Sequence, residues 1–166
     1  MSGPRPFESA GEILRTWRRL ASWPAGSWLF SRFLGFLVPY TGSIHPRVRA
    51  LEPGYARVEL RDRRAIRNHL SSIHAVALVN LGEVTSGLAL MAALPSGVRG
   101  IVTQLRVDYL KKARGRLIAE CRATAPAAAV RGQVDHTVEA LINDASGDPV
   151  ARVTVHWRLG PAAPAA

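Results

Sequence analysis

The chain has 166 residues, 48% hydrophobic and 20% charged, a balance that suits one folded domain and excludes a disordered chain. A lone cysteine, Cys121, excludes an internal disulfide framework, and the opening Met1-Ser-Gly-Pro-Arg-Pro lacks a secretory pattern, so a reducing, cytoplasmic setting is expected. The net charge of +10 fits an anionic partner or a merely basic surface, but no zinc-finger, basic-zipper or RNP-type signature accompanies it, and no nucleic-acid partner is expected.

Residues 1–6 read as a loose tail, 7–159 as a single domain with an N-terminal helical extension over 7–38, and 160–166 as a second tail. The spacing of Phe7, Ile13, Leu14, Trp17 and Leu20 predicts an amphipathic helix broken by Pro24. Trp28 to Val38 predicts a second helix ended by Pro39. Trp17, Trp23 and Trp28, with arginines nearby, fit either a membrane-surface element or residues that pack on a sheet or line a ligand mouth. Ile44 to Leu51 and Tyr55 to Leu60 read as strands joined across the turn dipeptide Pro53-Gly54.

A long helix is predicted from about His74 to just before Pro95. It is apolar nearly all round, so it must be buried on most sides. The stretch from Ala75 to Leu94 is long enough to cross a membrane, yet Asn80, Glu83, Thr85 and Ser86 occupy its middle. A carboxylate there costs about 3 kcal/mol on insertion scales, and no stable membrane insertion is expected. After Gly97 the period changes to two. Ile101, Thr103, Leu105, Val107 and Tyr109 fall on one face, placed toward the helix, and three further amphipathic strands end near Ala123, Ile142 and Leu159. The expected class is α+β: a curved antiparallel sheet wrapped around one long helix, which is the only element able to cover its apolar face.

Several chemistries are excluded by motif. There is no Gly-x-Ser-x-Gly elbow, P-loop, dinucleotide fingerprint, paired-cysteine or His-Glu-x-x-His pattern, so neither a metal nor a redox cofactor is expected. Cys121, on the apolar face of its strand, reads as a packed, inert thiol.

What remains is Asn68-His-Leu-Ser-Ser-Ile-His74-Ala75, leading into the helix that carries Glu83. This segment resembles the hotdog-fold acyl-CoA thioesterases, whose helix start reads Asn-x-x-Gly-x-x-His-Gly-Gly with an acidic residue nine positions after the histidine. Asn68 and His74 stand six apart and Glu83 follows His74 by nine. Asp108-Tyr-Leu-Lys-Lys-Ala-Arg-Gly is similar to the family's segment between strands, and the likeness spans roughly residues 54–159. Here Ser71 replaces the first glycine, Ala75 and Val76 replace the two after the histidine, and Glu replaces the commoner Asp. The resemblance implies a hotdog fold, a homodimer or dimer of dimers, and hydrolysis of acyl-CoA or a related thioester, coenzyme A entering only as part of the substrate. Carried over by position, it implies catalytic roles for Glu83, Asn68, His74 and Ala75, with Thr103 beside the place where such enzymes can carry a serine. Val76 at the acyl entrance, Asn80, and the basic Lys111, Lys112 and Arg114 (with Arg99 a weaker candidate) are the expected substrate contacts.

Chemistry supports that arrangement independently. Free N–H groups at a helix start favour negative charge, so the Ala75 N–H suits a thioester oxyanion. Burial in an apolar helix is expected to raise the Glu83 pKa, which suits a general base. Ala75 and Glu83 lie about 12 Å apart along an ideal helix, and His74 and Glu83 point to opposite sides. Joint action therefore requires a second subunit. Simpler roles stand beside these: His74 as helix cap, Asn68 as turn residue, Glu83 paired with an arginine or Asn80, and the basic cluster as a solvated hairpin. A non-catalytic module binding acyl-CoA or fatty acyl ligands is the alternative function.

Overall fold

The computed structural model describes residues 10–162. The expected tail at 1–6, the helix start at Phe7 and residues 163–166 lie outside the described residues. Three helices come first: α1 (Ala10–Ala21), α2 (Gly26–Leu37) and α3 (Pro39–Ile44). Pro24 falls between α1 and α2 as expected. α2 stops at Leu37, just before Pro39, as expected, but Pro39 also opens α3, because the first helical position needs no N–H donor. The following strand, β1, accordingly spans Arg47–Glu52 and does not begin at Ile44.

The helical extension is docked from one face. Ile13, Trp17, Phe30 and Leu34 are buried, and the Trp17 and Phe30 rings meet edge-on with centroids 5.2 Å apart. The Val48 peptide is clasped by α2: its N–H donates to Ser31 Oγ at 2.9 Å and its carbonyl accepts from Ser27 Oγ. Of the three tryptophans grouped by sequence, Trp17 therefore points inward, whereas Trp23 is 68% and Trp28 50% exposed.

β2 (Tyr55–Leu60) follows across Pro53-Gly54, where Gly54 takes the positive φ of 76° that a turn of this kind demands. Next come the long helix α4 (Ala75–Ala93) and four strands: β3 (Val98–Tyr109), β4 (Leu117–Arg122), β5 (Val134–Asn143) and β6 (Pro149–Pro161). Gly160 and Pro161, expected in the tail, instead pair with Arg99 and Val98. All pairings are antiparallel, in the order β1-β2-β4-β5-β6-β3, so β1 and β3 are the edges.

The α+β hotdog architecture is as expected, with α4 packed across the sheet. Leu78, Leu81, Leu88 and Leu90 of α4 are buried, each contributing about 1.5–3 kcal/mol of apolar burial. The helix is long and apolar enough to cross a membrane, but 67% of that window is buried inside the fold, where it serves as the core. Of the two glycines in α4, Gly82 sits tighter: a Cβ there would lie 2.3 Å from Val153 Cγ2 on β6.

One feature of β3 departs from simple alternation. The register shifts between Val102 and Gln104, making Thr103 a bulge residue. Val102 pairs with the buried Trp157, and beyond the bulge Leu105 and Val107 pair with Val155 and Val153. Since directly paired residues share a face, Val102 takes the helix-facing position expected of Thr103. Ile101 is turned outward, 67% exposed, and Thr103 is exposed with its Oγ1 donating to the His156 carbonyl at 3.2 Å. The extra bulge residue flips every face before it.

Candidate active site

The start of α4 is built by the turn before it. Asn68 Oδ1 accepts from the Leu70 N–H (2.9 Å), the Ser72 N–H (3.2 Å) and Ser72 Oγ (3.1 Å), folding the chain back on itself. Asn68 thus shapes the turn. Ile73 N–H donates to the Ala113 carbonyl at 2.9 Å and His74 N–H to the Ile66 carbonyl at 2.8 Å, fixing the direction in which α4 leaves. His74 is the N-cap, its Nδ1 accepting the Val76 N–H at 3.1 Å. Its carbonyl takes the Ala77 and Leu78 N–H groups. Among the described residues the Ala75 N–H meets no acceptor, and Ala75 is exposed. One backbone donor at the positive end of a 19-residue helix is left open.

Ser71 explains a departure from the motif. Its φ is +54°, the left-handed region that favours glycine, and a glycine stands there in the thioesterase pattern. A non-glycine residue costs about 1–2 kcal/mol in that conformation, part of which glycine's greater freedom in the unfolded chain offsets. Ser71→Gly is expected to stabilise the protein by about 0.5–1 kcal/mol, read as a higher urea midpoint with an unchanged slope. A lower midpoint would contradict the strain.

Glu83 lies further along α4 on the least buried stripe of the helix, with Val76, Val79 and Gly87 at i−7, i−4 and i+4. The side of this stripe is set by its neighbours: a Cβ on Gly87 would stand 3.4 Å from the Trp157 ring of β6, and Met91 packs beside Gly100 of β3. Glu83 therefore faces the β6–β3 end of the sheet. Desolvation pushes its carboxyl above the ordinary glutamate value, and among the described residues no arginine, lysine or amide pairs with it. Asn80 Nδ2 donates instead to the Tyr40 carbonyl at 3.1 Å, tying α4 to α3, and its buried Oδ1 meets no donor among the described residues. Val76, exposed on the same stripe, stands above the helix start.

The basic candidates separate. Lys111 is held by Asp144 and Asp148, 2.7 Å from each, so it closes a hairpin and is not a free clamp. Lys112 is exposed, and Arg114 Nη2 reaches the Leu70 carbonyl at 3.5 Å, beside the Asn68 turn. Arg99 lies at the far end of β3, opposite Gly160. Tyr109 joins the site unpredicted: its hydroxyl donates to the Ala75 carbonyl at 3.3 Å, and partial burial raises its pKa. The tyrosine was legible in its segment, but its contact depends on how β3 meets α4. Burial pushes the Cys121 thiol up to about 12, leaving essentially no thiolate at neutral pH.

One chain thus gathers Asn68, His74, Ala75, Tyr109 and Arg114 at the head of α4 and leaves Glu83 about 12 Å away along the axis. This arrangement offers an oxyanion donor at one place and a desolvated base at another. A family model described as a domain of unknown function (DUF4442) matches residues 26–159, and the chain belongs to that family. No curated protein matches it. Among solved structures it is similar to the genomics target APC5556, at 30% identity over 90% of this chain and 99% of that one, with a TM-score of 0.76. It is also similar to a Pseudomonas aeruginosa protein of unknown function described as a probable thioesterase (24% identity, 80% and 93% coverage, TM-score 0.72). A Haemophilus influenzae thioesterase shares the fold at 12% identity, with 74% and 82% coverage and a TM-score of 0.63.

Proposed function

We propose that this protein hydrolyses acyl thioesters of the acyl-CoA type, at a site shared between two copies of the chain. The observation that carries the reading is Glu83: a desolvated carboxylate with no cationic partner among the described residues, on the open stripe of the core helix. A structural glutamate in such a place would be expected to find a counter-ion. In the reaction Glu83 takes a proton from water as its oxygen bonds to the thioester carbonyl carbon. The Ala75 N–H of the other subunit holds the oxyanion. Collapse breaks the C–S bond, the proton passes to the departing thiolate, and a carboxylic acid and free thiol leave. Arg114 and Lys112 supply positive charge beside the helix start for coenzyme A phosphates.

A two-fold partner is supported by the free edge of β3, a strand of 12 residues that presents Ile101 and Leu105 to solvent. Long free edges that carry exposed apolar side chains are normally covered or blunted. The alternative, binding without turnover, is favoured by Val76, whose side chain occupies the place of a motif glycine. Purified protein offered a panel of acyl-CoA thioesters of increasing chain length distinguishes them by free-thiol release. Turnover is expected from a dimer in sedimentation analysis. Ile101→Lys is expected to give folded monomers without turnover. Tight binding of acyl-CoA with no thiol release across the panel would select the binding module.

A further inference from the structure

A second site lies on the opposite flank of the fold. Between α2–α3 and the β1–β2 edge is a cavity of about 650 Å³. Its floor is basic: Arg32, Arg47, Arg61 and Arg63 line it. The single acid there, Glu59, is already claimed by Arg49 at 2.7 Å and Arg61 at 3.2 Å, which hold its carboxyl below the ordinary range although burial opposes them. Arg32, Arg47 and Arg63 are then left without a carboxylate among the described residues. Among the described residues Arg63 reaches only the Ser43 carbonyl at 3.3 Å, Arg32 reaches His45 Nδ1 at 3.4 Å, and the buried Arg47 Nε meets no acceptor. Burial, and then Arg63 and Arg32, lower the His45 pKa, which favours the neutral ring, whose Nδ1 can accept from Arg32. The upper wall is apolar: Trp28 at 50% and Phe36 at 80% exposure.

We propose that this cavity binds a phosphate-bearing amphiphile, the arginines taking the dianionic head and the Trp28–Phe36 wall the adjoining apolar chain. A doubly charged head matches the unpaired guanidinium groups better than a single carboxylate, and guanidinium forks suit phosphate oxygens. Aromatic side chains left in water at the rim of a basic pocket fit a ligand apolar just beyond its phosphate. The site lies at the β1 edge, whereas Glu83 faces β6 and β3, so it is separate from the proposed hydrolytic centre.

Titration of the full chain with dodecyl phosphate below its micelle concentration tests this, with inorganic phosphate and dodecyl maltoside as references. Dodecyl phosphate is expected to bind saturably and about tenfold or more tighter than either reference. Arg32→Gln/Arg63→Gln is expected to weaken it about tenfold, and the matched charge loss Arg131→Gln/Arg152→Gln by less than about twofold. Phe36→Ser, at a position too exposed to affect folding, should weaken dodecyl phosphate and leave inorganic phosphate unchanged. Glu83→Gln should leave both unchanged. Sedimentation with phosphatidylcholine vesicles, with and without phosphatidic acid, identifies the source. Capture that depends on phosphatidic acid and on Arg32 and Arg63 assigns a lipid headgroup, and dodecyl phosphate binding without capture assigns a free amphiphile; either upholds the site. Binding indifferent to the pocket variants, or weakened equally by the matched pair, overturns it. So does a smaller assembly in Phe36→Ser, which would mark the wall as a contact between copies.

Discussion

Glu83→Gln is expected to lower kcat for acyl thioester hydrolysis by about a hundred- to ten-thousand-fold, the usual contribution of a positioned general base. The substitution keeps the shape of the side chain and removes only its ability to take a proton, so KM should change little. The pH profile provides a second readout. Desolvation raises the carboxyl above its ordinary value of 4.5, and the base works only when ionised. kcat/KM should therefore climb with pH through that raised value and level off above it. Stability moves the other way. A carboxyl that binds its proton more tightly in the folded state stabilises the fold when protonated, and this stabilisation is lost as pH rises from 4.5 through the folded value. At neutral pH the glutamine variant should be more stable than wild type, with the advantage disappearing in acid. Wild-type turnover in Glu83→Gln would exclude the carboxylate from the chemistry.

Gly82→Ala is expected to destabilise the protein by about 1–3 kcal/mol, the range for overpacking a tight core. On an exposed helix this change would instead gain about 1 kcal/mol from helix propensity. Here the new Cβ would lie 2.3 and 2.8 Å from the Val153 methyls and 2.4 Å from its Cβ. Rotating the valine cannot clear its own Cβ, so α4 must lift away from β6. That shift also moves the Glu83 stripe, and activity should fall with stability. Gly87→Ala is the internal control: its Cβ would meet the Trp157 ring at 3.4 Å, near ordinary contact, so its cost should be small or absent. Denaturant midpoints of the two variants check this. Equal effects would mean that α4 is not seated on β6 as closely as described.

The parts of the site differed in how far they could be read ahead. Glu83 was legible because a lone carboxylate in an apolar helix must be desolvated wherever the helix is buried, and its pKa is raised for that reason. The roles of His74 and Asn68 as cap and turn were open from spacing alone. Their hydrogen bonds to Val76, Leu70 and Ser72 settle those local roles. Lys111 resembled a phosphate clamp until the β5–β6 hairpin brought Asp144 and Asp148 to it. The arginine cavity is not legible in the sequence, since Arg32 comes from α2, Arg47 from β1, and Arg61 and Arg63 from the loop after β2.

The sequence by itself determined one buried helix between an early hairpin and four later strands, because each element's apolar period follows from its own backbone geometry and needs no knowledge of its neighbours. Tertiary structure alone decided the strand order, the bulge at Thr103 that turns Val102 inward, and which of Trp17, Trp23 and Trp28 is buried. It also decided which side of α4 stays open for Glu83. Each of these depends on contacts between residues distant in the chain, and local periodicity carries no record of them.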